Sequence, residues 1–309
     1  MLRPSNPADL PSLLLLHARA LPNQACGGSA LGKMRPASSP LPPAISSWLI
    51  RGPARATWIS TRHALAAGLI TVEQRRGAAC WDVTWLSTRH ADTDICTDML
   101  EAASQRIARR DGQRLLLLLH DDSPLEHAVR LAGFIPYVSH TLLLRPPGPL
   151  PLHVPPPAGG AAISPATPDS EFGAFRLFQR IAPILAREAE GLTLSDWNDS
   201  HERIPRRERT FIAHRDGAVV ASARLALRPS RATLDCVFDP RHLDDAAALL
   251  SNLTAAHRTR TLACLAPSYL PALVPLLERF GFQRAGGYTG FARHVTVRIK
   301  EPGLVPVGA

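Results

Sequence analysis

Residues 78–134 read AACWDVTWLSTRHADTDICTDMLEAASQRIARRDGQRLLLLLHDDSPLEHAVRLAGF, and residues 232–282 read ATLDCVFDPRHLDDAAALLSNLTAAHRTRTLACLAPSYLPALVPLLERFGF. The two stretches carry one phrase. Each has a strand with a central acid (Asp82, Asp235), an Arg-His pair (Arg89-His90, Arg241-His242) and a helix. An apolar strand, a short helix and a Gly-Phe pair (Gly133-Phe134, Gly281-Phe282) follow. Matching landmarks lie 153, 152 and 148 residues apart. A repeat of that length is a duplicated domain, because solenoid units are several-fold shorter.

A chain of 309 residues is long enough for two domains of about 150 residues. Hydrophobic residues make up 45% and charged residues 20%, which suits real cores. Net charge is +9 with only two lysines, Lys33 and Lys300, so the positive charge is arginine. The densest basic cluster, Arg206-Arg207-Glu208-Arg209, is short, contains an acid and has no interleaved aromatics. Arginines on ordinary solvated faces are therefore the reading, and a nucleic-acid partner is not expected. Five cysteines without a CxxC spacing argue against a disulfide framework and a structural zinc, so no metal is expected. Cys80, Cys236 and Cys264 fall in strands as small buried hydrophobes, which fits a reducing cytoplasm. The apolar run Leu13–Leu16 is too short to span a membrane, and Asp9 precedes it without a strong basic region. Neither membrane association nor a signal peptide is expected.

Residues 146–165 hold eight prolines and three glycines, which reads as a semi-rigid linker. The expected domains are 1–145 and 166–309. The first half opens with a helix near Ala8–Leu21, then a Pro/Gly/Ser-rich stretch over 22–47. Strands follow at ATWIST, LAAGLITVEQ and AACWDVTWL, the last placing Trp81, Val83 and Trp85 on one face. A helix covers 95–110, Leu115–Leu119 is a doubly buried strand, a short helix ends at Gly133, and FIPYVSHTLLLR closes the half. The second half opens with a helix near 169–190 and a helical turn around Trp197. Strands RTFIAH and AVVASARLAL are joined across Arg215-Asp216-Gly217, and the repeated phrase completes the half. Helix, antiparallel meander, helix, strand, helix, strand is an α+β order with one crossover pairing the fourth and fifth strands in parallel.

This order, ending in a short helix and Gly-Phe, resembles the GNAT superfamily of acetyl-CoA-dependent acyltransferases, once in each half. The resemblance implies two tandem GNAT-like domains, each a mixed, mostly antiparallel sheet flanked by helices. It also implies acyl transfer from acetyl-CoA to a small-molecule or peptide amine, the thioester arm lying between the splayed fourth and fifth strands near the Leu86 and Thr88 backbone. The acceptor would enter beneath the 22–47 stretch. The family's pyrophosphate loop, Gln/Arg-x-x-Gly-x-Gly/Ala, aligns with Ala91-Asp92-Thr93-Asp94-Ile95-Cys96. Arg89, Thr93, Asp94, Ile95, Cys96 and Thr97 are thereby the implied coenzyme contacts, using loop amides and a helix N-terminus. Asp94 and Cys96 stand where the family has glycines. A carboxylate about 5 Å from a phosphate charge costs about 3 kcal/mol at an effective dielectric near 20. In the second half the loop Asp239-Pro240-Arg241-His242-Leu243-Asp244-Asp245 has no glycine, and Pro240 lacks an amide donor. The resemblance implies a tyrosine proton donor four residues before Gly-Phe, but Val129 and Leu277 stand there.

Asp82 and Asp235 are the remaining acids on the cleft-lining strand, where a carboxylate serves as general base for an amine or, alternatively, pairs with an arginine. Asp82 is the expected catalytic residue. Tyr137, Tyr269 and Tyr288 are out of register for proton donation. No HExxH, GxSxG, Walker or GxGxxG motif is present, and His120-Asp121-Asp122 reads as a polar turn. Two readings remain: a tandem acyltransferase, or a binding or scaffolding module that kept the fold and lost the chemistry.

Overall fold

Twelve strands hydrogen-bond into one sheet, and the order of strands in it decides how the two halves are joined. The computed structural model describes residues 2–27, 39–49, 52, 54–63, 65–149, 151, 160–201 and 208–295. The first half contributes β1 (Leu2–Pro4), α1 (Leu10–His17), α2 (Leu41–Leu49), β2 (Arg55–Arg62), β3 (Leu65–Gln74), β4 (Cys80–Thr88), α3 (Thr93–Ala108), β5 (Arg114–His120), α4 (Glu126–Leu131) and β6 (Ile135–Arg145). The second contributes β7 (Ala162–Pro165), α5 (Pro168–Ile181), α6 (Ile184–Glu190), α7 (Leu194–Asp199), β8 (Glu208–Arg215), β9 (Ala218–Leu227), β10 (Arg231–Phe238), α8 (Leu243–Ala256), β11 (Thr261–Pro267), α9 (Leu273–Arg279) and β12 (Gln283–His294). The repeat is therefore real at the level of structure, and each copy is an antiparallel meander followed by one parallel pair.

The sheet runs β1-β2-β3-β4-β5-β12-β6-β11-β10-β9-β8-β7. The closing strands are exchanged: β12 lies between β5 and β6, and β6 lies against β11. Side chains follow the strands. Phe291 of β12 is fully buried in the core of the first half with Trp81, Val83, Leu86 and Leu117. Leu143 of β6 is fully buried in the core of the second half with Leu234, Leu262 and Phe282. In each half the parallel pairing is short. It joins Cys80–Val83 to Arg114–Leu117 and Arg231–Leu234 to Thr261–Cys264, after which the strands part.

Local chemistry accounts for where elements begin and end. Thr167 and Ser170 form a capping box around Pro168 at the start of α5, satisfying amides that have no helical partner. The expected helix over 169–190 is two helices, because Pro183 offers no amide and holds Ala182 extended. Asp216 and Gly217 take positive φ of 51° and 76° and turn the β8–β9 hairpin where expected. The first helix is shorter than the Ala8–Leu21 reading and spans Leu10–His17, since Pro22 and the following residues leave for the sheet. Part of the stretch read as loop is α2, whose Pro42 and Pro43 occupy its first turn. The last four residues of the proline-rich stretch form edge strand β7. Among the described residues no helix is long and apolar enough to cross a membrane. Arg206 and Arg207 lie outside the described residues.

One expectation within β4 is corrected. Thr71 pairs with Trp85 and Val72 with Val83, so Thr84 is an extra residue in the ladder. A bulge reverses the alternation beyond it. Trp81, Val83 and Leu86 share one core cluster, whereas Trp85 turns to the other face against Leu13, Ile59 and Leu69.

Because Phe291 buries a full aromatic side chain in the first half from a strand of the second, Phe291→Ala should cost about 3–5 kcal/mol. The exchange makes the two halves one cooperative unit. Hydrogen exchange followed through denaturant should therefore show β4 and β10 losing protection together in this variant, not in two steps.

Candidate functional site between the halves

The parting of β4 and β5 is the groove in which a coenzyme arm was expected, and the chain's own residues fill it. Leu21 donates its amide to the Thr88 carbonyl (3.1 Å) and Gln24 to that of Leu86 (2.9 Å), while Cys26 donates to Leu118 on the other strand (2.8 Å). Ala20 bridges to Arg89 and Ala25 to Leu119. Asn23 fixes the segment. Its Oδ1 accepts from the Leu86 amide (2.8 Å) and the Ala25 amide (3.1 Å), and its Nδ2 donates to the carbonyl of Thr84, the bulged residue (3.1 Å). The segment is thus a tethered strand-like insert that satisfies both splayed edges. Gly27 allows the approach, since a Cβ there would meet the Thr84 methyl at 2.8 Å. Leu86 and Thr88, expected near a coenzyme arm, have these backbone groups engaged by the chain itself.

The β4–α3 turn is closed by a local cap. His90 and Ala91 take positive φ of 56° and 55°, and the Asp92 carboxylate accepts the Ile95 amide at 3.0 Å as the cap of α3. Arg62 lies 3.5 Å from Asp92. Thr93 and Asp94 sit on the first turn, Asp94 facing solvent. Cys96 is buried in the core with its thiol pushed up to about 12 by burial and then by Asp92. Thr97 donates to the Ala128 carbonyl (3.3 Å), and Arg89 spends its amide on Ala67 (2.9 Å). These residues cluster at one turn, away from Asp82. In the second half Asp239 plays the part of Asp92: it accepts the Arg241 amide (3.0 Å) and pairs with Arg241 and Arg180 (2.8 and 2.9 Å).

On the other face of the sheet a cavity of about 240 Å³ lies between the halves. Asp82 enters it, being 5% exposed and 3.4 Å from Arg75. Asp235 also enters it, paired with Arg224. The strand exchange brings Tyr137 and His140 of β6 to the same space, while α5–α7 cover it with Phe178, Glu190 and Trp197. His140 is lowered to about 4, chiefly by burial, and burial together with Arg224, Arg76 and Arg75 lowers His201 well below the usual histidine value, so both rings are neutral near pH 7. Burial raises Tyr137 and Tyr269. Glu190 is pushed up to about 7, by burial first and then by the charge of Asp235. Its remaining accessible surface faces the cavity, and among the described residues its carboxylate has no ion-pair or hydrogen-bond partner. Nothing in the repeat marks Glu190. The only signal is local, Pro183 and Gly191 delimiting a short helix whose last residue it is.

Fold comparison agrees with this topology. The chain is similar to the structure of a GCN5-related N-acetyltransferase from Sphaerobacter thermophilus, at 15% identity over 96% of this chain and 95% of that one, with a TM-score of 0.57. The chain has the GNAT fold. A conserved protein of unknown function from Staphylococcus epidermidis is similar at 9% identity over 80% of this chain and 94% of that one, with a TM-score of 0.50. A tandem GNAT protein from the clavulanic acid biosynthesis pathway is more loosely similar, at 15% identity over 82% and 87% of the chains and a TM-score of 0.46. No family model matches the sequence, and no curated protein matches it. The GNAT fold is thus legible in the shape of a chain that shares only 15% and 9% of its sequence with the first two of these structures.

Asn23→Ala should leave the buried Leu86 amide without an acceptor and cost about 1–3 kcal/mol. The loss is checked by denaturation and by faster amide exchange at Leu86 and Cys26, with β10 and β11 unchanged in exchange at low denaturant.

Proposed function

We propose that the chain is an N-acyltransferase whose working site is the inter-half cavity, with the acyl donor approaching the parting of β10 and β11. The observation that carries this reading is Glu190. A carboxylate raised to about 7, facing a cavity and with no ion pair among the described residues, is suited to take a proton from an ammonium acceptor. Asp82 and Asp235 enter the cavity paired with Arg75 and Arg224, and Trp197, Phe178 and Tyr137 supply apolar and aromatic walls, a lining that suits an amine carried on an apolar body.

On this reading the donor occupies the second groove. Its strands part after Leu234 and Cys264, and no bridge comparable to those of Ala20 and Ala25 spans them among the described residues. A donor such as acetyl-CoA would supply an activated thioester. Glycine amides are lacking at the β10–α8 turn, so its phosphates would be held by the Arg180 and Arg241 guanidiniums, both largely exposed. The chain's own task is then to hold the amine, remove its proton at Glu190 and keep bulk water out.

Calorimetry with acetyl-CoA and longer acyl-CoA thioesters should show one donor per chain, with thiol release in the presence of a suitable amine. Glu190→Gln should lower kcat/KM by about 10²–10⁴-fold. Because the base must be ionised, kcat/KM should rise with pH through about 7 and level off above it. Asp235→Asn removes a neighbouring negative charge, favours the ionised form and should move that midpoint to lower pH. Absence of both binding heat and thiol release across the thioester and amine panels would overturn the reading in favour of a non-catalytic binding module.

A further inference from the structure

The first half keeps the fold yet fills its own groove, which raises the question of what it contributes. Its contact with the helices of the second half is specific. Arg114, the first residue of β5, is buried (5% exposed) and donates through Nη1 to the carbonyl of Ala189 and through Nη2 to that of Asp196, each at 3.2 Å. Asp196 Oδ1 lies 3.6 Å from the same guanidinium. One planar fork therefore ties the last turn of α6 to α7. The Ala189 methyl packs against Cys80, Leu116 and Ala292 on the sheet face. On the other side of Glu190, Gly191 turns the chain at φ 146°, where a Cβ would meet the Trp197 amide at 2.3 Å, and its carbonyl accepts from Gln179 (2.8 Å). Glu190 is consequently fixed between two residues that are each anchored.

A second contact runs alongside. The turn after β3 meets the end of α7: Arg76 donates its amide to His201 (2.9 Å), Gly77 to Asp199 (3.2 Å), and Arg75 its side chain to Ser200. Gly77 has no room for a side chain, since a Cβ would lie 2.0 Å from the Asp199 carboxyl carbon.

We propose that Arg114 is a positioning residue for Glu190, and that the first half serves as the fixed support of a site that functions in the second. The proposal rests on the reading of Glu190 as the base, but its geometry can be tested apart from activity. Charged groups around Glu190 come from several elements: Asp235 on β10, Arg224 on β9, Arg75 after β3 and Arg114 on β5, with the Tyr137 and Tyr269 hydroxyls beside them. Arg114 thus acts in two ways, by holding the backbone and by opposing the burial that raises the carboxylate.

The experiment compares Arg114→Gln and Arg114→Lys in the full chain. Glu190 is followed by carboxyl-carbon NMR, with its signal assigned by Glu190→Gln, and residues 184–199 by hydrogen exchange. Arg114→Gln should raise the Glu190 midpoint above about 7 and speed exchange in α6 and α7 by about tenfold or more, one lost anchor being worth about 1.4 kcal/mol. Arg114→Lys should keep the midpoint near its original value while exchange still accelerates, because the charge remains and the fork is gone. Should Arg114→Gln fail to fold, Gly77→Ala is expected to accelerate exchange over the same residues. Unchanged midpoint and unchanged exchange in a folded variant would overturn the proposal. If no amine is ever acylated, the NMR and exchange results still decide whether Arg114 positions Glu190, and only the assignment of a reaction falls.

Discussion

Everything in this molecule depends on β12 being hydrogen-bonded to β5 on one edge and β6 on the other. That insertion, with β6 against β11, joins the halves by strand pairing in addition to the contacts of Arg114, Arg76 and Gly77 with the helices of the second half. With it, the sheet is continuous, Phe291 and Leu143 cross into opposite cores, and β6 is delivered to the edge of β11. Tyr137 and His140 reach the inter-half cavity only because their strand lies there. A cavity composed from both halves is thus a product of strand order, and its polar lining is drawn from elements far apart in the chain.

The two copies of the duplication differ by small chemical changes. At the parallel pair of the first half, Asn23 and its neighbours occupy the gap, and Arg114 points away from the groove toward α6 and α7. Thr261 stands at the corresponding start of β11, where a hydroxyl could make no such fork. Buried arginines are expensive unless their donors are met. Here the Arg114 guanidinium meets two carbonyls, so the cost of its burial is offset by order imposed on the neighbouring helices.

Much of the fold was legible in the sequence, because element order depends on local chemistry: proline and glycine positions, strand alternation and the Asp-Gly hairpin. What was not legible is non-local. The bulge at Thr84 leaves no residue signature, so Trp85 was placed on the wrong face. The exchange of β6 and β12 preserves every local pattern while changing the neighbours of β5, β11 and the two closing strands. The filled groove was hidden for a similar reason, since Pro22 to Gly27 look like the start of an irregular loop and gain meaning only against the bulged carbonyl of Thr84. Asp82 could be placed on the fourth strand from the repeat, and the GNAT resemblance implied that this strand lines a cleft. Glu190 could not be found, having no counterpart in the repeated phrase and drawing its properties from burial beside Asp235.

The exchanged strand also has a consequence for how the protein is made. A ribosome delivers β5 and β6 long before β12, so the first half waits with two unpaired strand edges while everything from Arg145 to Gln283 is synthesised. Such edges invite pairing with other chains, and closing them demands contacts of high sequence separation that form slowly. The chain's own segment from Ala20 to Gly27 is made early, but it lies in the parting of β4 and β5, on the side of β5 away from β12. The insert that closes a groove in the finished protein therefore leaves the β12-facing edge of β5 to be covered only when the last strand arrives.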